Sequence, residues 1–220
     1  MEKHIVYADH PDVSISSFLS ALNIDNEDDL AEEFRLMHGE ALEIVRPAAV
    51  YSPLTPEVYD NIIYLNGVKI EEPFVNKMLS GLGIVVPYVA SCGQEIDRWS
   101  RSFSDMLEQY AADTLKQMCL EVIREKLFNE VRDKYFSTAK NVSTINPGSL
   151  KEWPITGQRS LFKILGGVTN DIGVVLTDSL LMMPTKSVSG IMFQTDQAYH
   201  NCQLCPRIDC PRRRAPYGGN

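Results

Sequence analysis

The stretch from Ser104 to Phe136 contains neither glycine nor proline. Within it Leu107, Ala111, Leu115, Met118, Val122, Leu127 and Val131 recur at three- to five-residue steps, close to the repeat of an apolar helical stripe. The spacing predicts one long helix over 104–136. Cys119 lies beside that stripe and reads as a small buried hydrophobe. Short β-rich runs surround this helix, so the chain belongs to the α+β class, with an antiparallel sheet rather than repeated βαβ units.

The β-rich runs lie at Ala49-Val50-Tyr51, Ile62-Ile63-Tyr64-Leu65, Ile84-Val85-Val86, 174–176 and 188–193. Asn66-Gly67, between Tyr64-Leu65 and Val68-Lys69-Ile70, signals a two-residue hairpin turn. A short helix passes through Phe74, Met78 and Leu79, and another spans 158–165 before Gly166-Gly167. An earlier helix is expected from Asn26 to Ile44, with Glu27, Asp28 and Asp29 in its first turn, where the dipole favours negative charge. Residues 137–157 are polar and read as a long connection, of the kind that is either functional or a linker. These changes of texture divide the chain into an N-terminal helical extension (1–45), an α+β domain (46–195) and a Cys/Arg-rich tail (196–220).

The formal charge of −8 argues against general nucleic-acid binding, which needs a positive field. No apolar run is long enough to span a bilayer, and the N-terminal residues lack the apolar core of a signal peptide, so a cytoplasmic protein is expected. In that reducing compartment clustered cysteines read as thiols or metal ligands rather than disulfides.

Three of the five cysteines fall in the tail as Cys202-x-x-Cys205-x-x-x-x-Cys210. The two-residue gap lets the first pair of sulfurs face one point, as in zinc and iron–sulfur sites. Cys92 and His200 are candidates for a fourth ligand, and an open position is the third option. A [4Fe–4S] cluster or zinc would suit this set. Arg207, Arg212, Arg213 and Arg214 would offset the charge of clustered thiolates, or bind a carboxylate or phosphate through their planar forks.

The remaining conspicuous stretch is Leu176 to Phe193. Ser187 and Ser189 share one side of a strand, and Gly190 permits close backbone approach by a ligand. No histidine and acid accompany these serines as in a hydrolase triad, and neither GxGxxG nor a Walker A pattern is present.

Leu176-Thr177-Asp178-Ser179, Met183-Pro184 and Ser187-Val188-Ser189-Gly190, preceded by Asn146-Pro147-Gly148, Trp153-Pro154 and Gln158, resemble the activation domain of cobalamin-dependent methionine synthase. The likeness is to its stand-alone forms, which accompany corrinoid methyltransferases. It is strongest over 145–193, and the Cys-rich tail lies outside it. The resemblance implies a curved antiparallel sheet with long packed helices, binding S-adenosylmethionine beside a cobalamin carried by a partner protein. Cobalamin that has oxidised to Co(II) would regain methyl-Co(III) from one electron and the methyl group of S-adenosylmethionine. Ligand contacts would then fall to Pro147, Gly148, Ser149, Ser187, Val188, Ser189 and Gly190, with Cys202, Cys205, Cys210 and Cys92 holding a cluster that passes the electron. The alternative is a non-catalytic partner of a corrinoid methyltransferase, with a structural zinc tail. In the family motif R-x-x-P-G-Y, Thr144 stands here at the arginine and Ser149 at the tyrosine.

Overall fold

Two strands without a single exposed central residue form the middle of the molecule. In the computed structural model, which describes residues 2–27, 30–196, 199, 201–203, 205, 207–210, 213 and 215–218, they pair antiparallel from Ser187↔Ser91 to Phe193↔Val85. In chain order the elements are β1 (His4–Tyr7), α1 (Ile15–Ala21), α2 (Ala31–Ile44), β2 (Ala48–Tyr51), β3 (Glu57–Tyr59), β4 (Ile62–Leu65) and β5 (Val68–Lys69). Next come α3 (Pro73–Leu79), β6 (Val85–Ser91), α4 (Gln94–Ser100), α5 (Met106–Tyr135) and β7 (Asn141–Ile145). The last are α6 (Gly157–Leu165), α7 (Val168–Ile172), β8 (Val175–Leu176), β9 (Met182–Met183) and β10 (Ser187–Thr195), with a 3-10 turn at Asn201–Gln203.

The main sheet runs β1-β2-β6-β10-β7, all antiparallel. Both faces of its centre are covered, so β6 reads as a continuous apolar run rather than an alternation. Val86, Tyr88 and Ala90 meet α1, α2, α4 and α5 on one face, while Val85 and Val89 meet α3, α6 and α7 on the other. The α+β class with a curved antiparallel sheet and long helices is what the sequence led us to expect.

The long helix is capped by Asp105, whose carboxylate accepts from the Leu107 and Glu108 amides at 2.8 and 3.1 Å. Its buried line is Ala111, Leu115, Cys119, Ile123, Leu127 and Val131, whereas Leu107 is exposed. The Asn66-Gly67 turn forms as expected, with positive φ at both residues (50° and 72°), the geometry of a tight hairpin that follows the strand twist.

Four features differ from the sequence reading. Residues 1–45 are continuous with the main sheet, because β1 is its edge strand and α1 and α2 share the core of α5. The second helix starts at Ala31, not Asn26, whose carbonyl and side chain instead accept from Arg35; Asp28 and Asp29 lie outside the described residues. The polar connection 137–157 contains β7, the opposite edge strand, paired from Ile191↔Ile145 to Thr195↔Asn141. An edge strand with one covered face can carry Asn, Ser and Thr. The run 174–176 leaves the main sheet and pairs with β9 in a separate ribbon. No helix among the described residues is long and apolar enough to cross a membrane.

Near the end of α5, Glu130 accepts from the Tyr51 hydroxyl and the Lys134 ammonium, both at 2.8 Å. His4 stacks on Tyr51 with ring centroids 4.9 Å apart. Burial pushes the Glu130 carboxyl up, but hydrogen bonds from Lys134 and Tyr51 outweigh it, and the net shift is downward. A depressed carboxyl stabilises the fold above its unfolded pKa, and that contribution fades as pH falls through the folded value. Urea midpoints are therefore expected to drop below a pH of about 4, and Glu130→Gln should flatten that acid limb. Identical acid limbs would show that this cluster does not couple to folding.

Candidate functional site

A cavity of about 420 Å³ opens between α5 and the β6–β10–β7 half of the sheet. On the helix, Glu121, Arg124, Glu125 and Phe128 stand three and four residues apart, so they share one face and line it together with Leu127. Strand residues Tyr88, Val142, Ser143, Thr144 and Met192 form the other wall, with Tyr199 at the edge. Apolar surface with a few convergent polar groups is the usual make-up of a small-molecule site.

Tyr199 sits beside β7, where its amide donates to the Ser143 hydroxyl at 3.1 Å. Its own hydroxyl is buried and has no partner among the described residues. Burial, with some help from Glu152, pushes that hydroxyl up to about 12, so it remains a hydrogen-bond donor at neutral pH.

Gly190 faces the same side of the sheet, opposite Tyr88. A Cβ there would lie 2.4 Å from Asn146 Nδ2, 2.6 Å from the Ile145 carbonyl oxygen and 3.0 Å from Tyr88 Cε1. Asn146 uses that space to donate to the Tyr88 hydroxyl at 3.0 Å and to the Ser189 carbonyl at 2.8 Å. The close approach expected at Gly190 is thus made by the protein's own Asn146 and Tyr88, which hold the cavity wall.

A family model for the activation domain of vitamin B12-dependent methionine synthase matches residues 72–207, more than half of the chain. The chain belongs to this activation-domain family. Its fold also matches a crystal structure of the MetH reactivation domain bound to AdoHcy, with a TM-score of 0.65 at 17% identity. That match covers 91% of this chain and 81% of the other. No curated protein sequence matches the chain.

In this activation domain the motif residues surround the cavity more than they line it. Pro147 is buried and Gly148 and Ser149 are exposed, in a turn held by the Gly148 amide on the Trp153 carbonyl at 2.8 Å. Gly148 has φ +81°, and a Cβ would meet Ile155 Cδ1 at 2.8 Å. Ser187 donates its hydroxyl proton to the Pro184 carbonyl at 2.7 Å and shares a hydrogen bond with the Ser91 hydroxyl, 2.9 Å away, and Val188 packs on the core beside α5. Ser189 is buried, and its hydroxyl has no partner among the described residues. Of the motif positions, Thr144 lines the cavity directly. Arg124, Tyr88 and Tyr199 were not legible as site residues. The available signal was the polar i, i+3, i+4 set 121/124/125 beside the apolar stripe of a long helix.

The four cysteines expected as ligands separate into two environments. Cys92 is fully buried among core residues, its amide bonded to the Lys186 carbonyl. Desolvation pushes its thiol, and that of Cys119, up to about 12, so both are neutral core thiols. Cys202, Cys205 and Cys210 are half-buried. No group of three or more His, Cys, Asp or Glu side chains poised for a metal occurs among the described residues, and His200 lies outside them. A guanidinium orders the tail backbone instead. Arg213 donates to the carbonyls of Cys202, Cys205, Arg207, Ile208 and Ala215. After chelator treatment, a thiol reagent is expected to titrate Cys202, Cys205 and Cys210 quickly and Cys92 and Cys119 only on unfolding. Rapid reaction of all five cysteines would contradict this division.

Proposed function

We propose that this activation domain binds S-adenosylmethionine in the α5–sheet cavity and serves a corrinoid protein as its reductive-methylation factor. The observation that carries the reading is the cavity itself, bounded by Thr144 of the family motif and by Tyr88, which Asn146 and Gly190 of the same motif region hold in place. The aromatic and apolar lining suits an adenosine and a thioether chain. The unpartnered Tyr199 hydroxyl offers a donor that the protein leaves unused among its described residues. On the partner's cobalamin, one electron would convert Co(II) to Co(I). Transfer of the sulfonium methyl group to Co(I) would then give methyl-Co(III) and S-adenosylhomocysteine. The residues named here bind and orient the methyl donor; the corrinoid is the methyl acceptor.

Calorimetry with S-adenosylhomocysteine tests the binding. A dissociation constant in the micromolar range is expected. No heat at millimolar ligand would instead favour a non-catalytic partner in a corrinoid methyltransferase system.

For the tail we propose that Cys202, Cys205 and Cys210 hold a metal, with a [4Fe–4S] cluster able to supply the electron and zinc giving only structure. The three-carbon reach of Arg213, which gathers the carbonyls of two of these cysteines, supports a loop already bent for ligation. The raised Cys92 thiol is a poor fourth ligand, because metals take thiolates. Reducing, cytoplasmic conditions would suit such thiols. Iron, sulfide and zinc analysis after anaerobic purification decides between the versions. Zinc alone would end the electron-transfer proposal, and a metal-free tail would end both.

A further inference from the structure

We infer that Arg124 is the specificity residue of the cavity, recognising the α-carboxylate of an amino-acid-bearing nucleoside, with Glu125 beside it set to receive the ligand's ammonium group. The inference rests on the nucleoside-binding reading above and names which end of the ligand meets α5.

Among the described residues lining the cavity Arg124 is the one base. It is half-buried on the inward face of α5, and no hydrogen bond or ion pair among the described residues ties its guanidinium. Several cations elsewhere among the described residues meet carboxylates. Lys116 and Lys186 meet Asp113, Lys134 meets Glu130, and Lys3 meets Asp171. A guanidinium left without a carboxylate at the edge of a low-dielectric cleft is suited to a planar anion, which it binds through two parallel hydrogen bonds. Phosphate would satisfy the guanidinium equally well, but Glu121 and Glu125 flank it on the same helix face and repel a dianion. A cation with the Glu125 carboxylate beside it complements a zwitterion. Leu127, Phe128, Val142 and Met192 continue the cavity as apolar surface for what the zwitterion is attached to.

Two ligands that share adenosine and a thioether separate this role from binding in general. S-Adenosylhomocysteine carries the amino-acid end, whereas 5′-methylthioadenosine lacks it. With the full chain, Arg124→Ala should weaken S-adenosylhomocysteine at least about tenfold, the loss of one charge-assisted pair, and leave methylthioadenosine within about twofold. Retained methylthioadenosine binding also reports that the variant is folded. Arg124→Gln, which keeps the length and removes the charge, should behave in the same way and serves if the alanine variant does not fold. Adding Thr144→Arg to Arg124→Ala should restore part of the S-adenosylhomocysteine affinity, since Thr144 lines the strand wall of the same cavity. Unchanged S-adenosylhomocysteine affinity in either single variant overturns the inference, as does a parallel loss of both ligands. If the unmodified chain binds neither ligand, the cavity reading itself fails.

Discussion

Asp97→Ala is expected to lower the unfolding free energy by about 3 kcal/mol, the penalty for leaving a buried partner charge uncompensated. Asp97 is 6% exposed and Lys116 8% exposed, and their charged atoms lie 3.5 Å apart across the α4–α5 packing. Arg101, the other partner of Asp97 at 2.6 Å, has an exposed side chain and can return to water. Lys116 cannot. Asp113 remains 3.7 Å from it, which keeps the expected loss at the lower end for a broken buried pair. Asp113 also pairs with Lys186 at 2.7 Å, immediately before β10, so the network links α4, α5 and the strand that bounds the cavity. Urea unfolding measures the loss. The double variant Asp97→Ala/Lys116→Met should recover most of it, because replacing both charges by apolar groups removes the stranded ion. A single variant within about 0.5 kcal/mol of the parent would show that the pair behaves as a surface contact.

Gly190→Ala is expected to combine a loss of about 1–3 kcal/mol, typical of overpacking, with a loss of ligand affinity. The added methyl meets the Ile145 carbonyl oxygen at 2.6 Å, and backbone in a paired strand cannot swing aside as a side chain can. Asn146 and Tyr88 must move as well, and Tyr88 is cavity wall. The conserved-volume change at Ser189, Ser189→Ala, removes a hydroxyl that makes no hydrogen bond among the described residues and should leave both properties near those of the parent. Thermal unfolding and calorimetry with S-adenosylhomocysteine on the two variants check this contrast. An alanine at 190 that melts and binds like glycine would mean that the wall around Tyr88 can relax without consequence.

The candidate site was legible as a motif but not as a place. Asn146-Pro147-Gly148 and Ser187-Val188-Ser189-Gly190 identify the family, yet most of these residues hold backbone together around the cavity: Gly148 caps a turn onto Trp153, Ser187 ties β10 to β6, and Gly190 admits Asn146. Arg124 was hidden because a charged residue on a long helix ordinarily faces water, and only the position of the sheet shows which polar face is turned inward. Cys92 was grouped with the tail cysteines by residue type. Its burial at the end of β6, beside the core of α5, separates it from them chemically.

By itself the sequence determined the features that depend on neighbouring residues. Periodicity and the absence of breakers specify α5, positive-φ residues specify the Asn66-Gly67 turn, and continuous apolar runs specify β6 and β10, because each reflects dihedral preferences and burial within a few residues. The tertiary structure decided what depends on partners far along the chain. It placed β1 and the polar β7 at opposite edges of one sheet, turned the 121/124/125 face of α5 toward Thr144, and set Tyr199 beside Ser143. Strand pairing and helix docking join residues that are distant in sequence, so no local pattern records them. The cavity exists only where they meet.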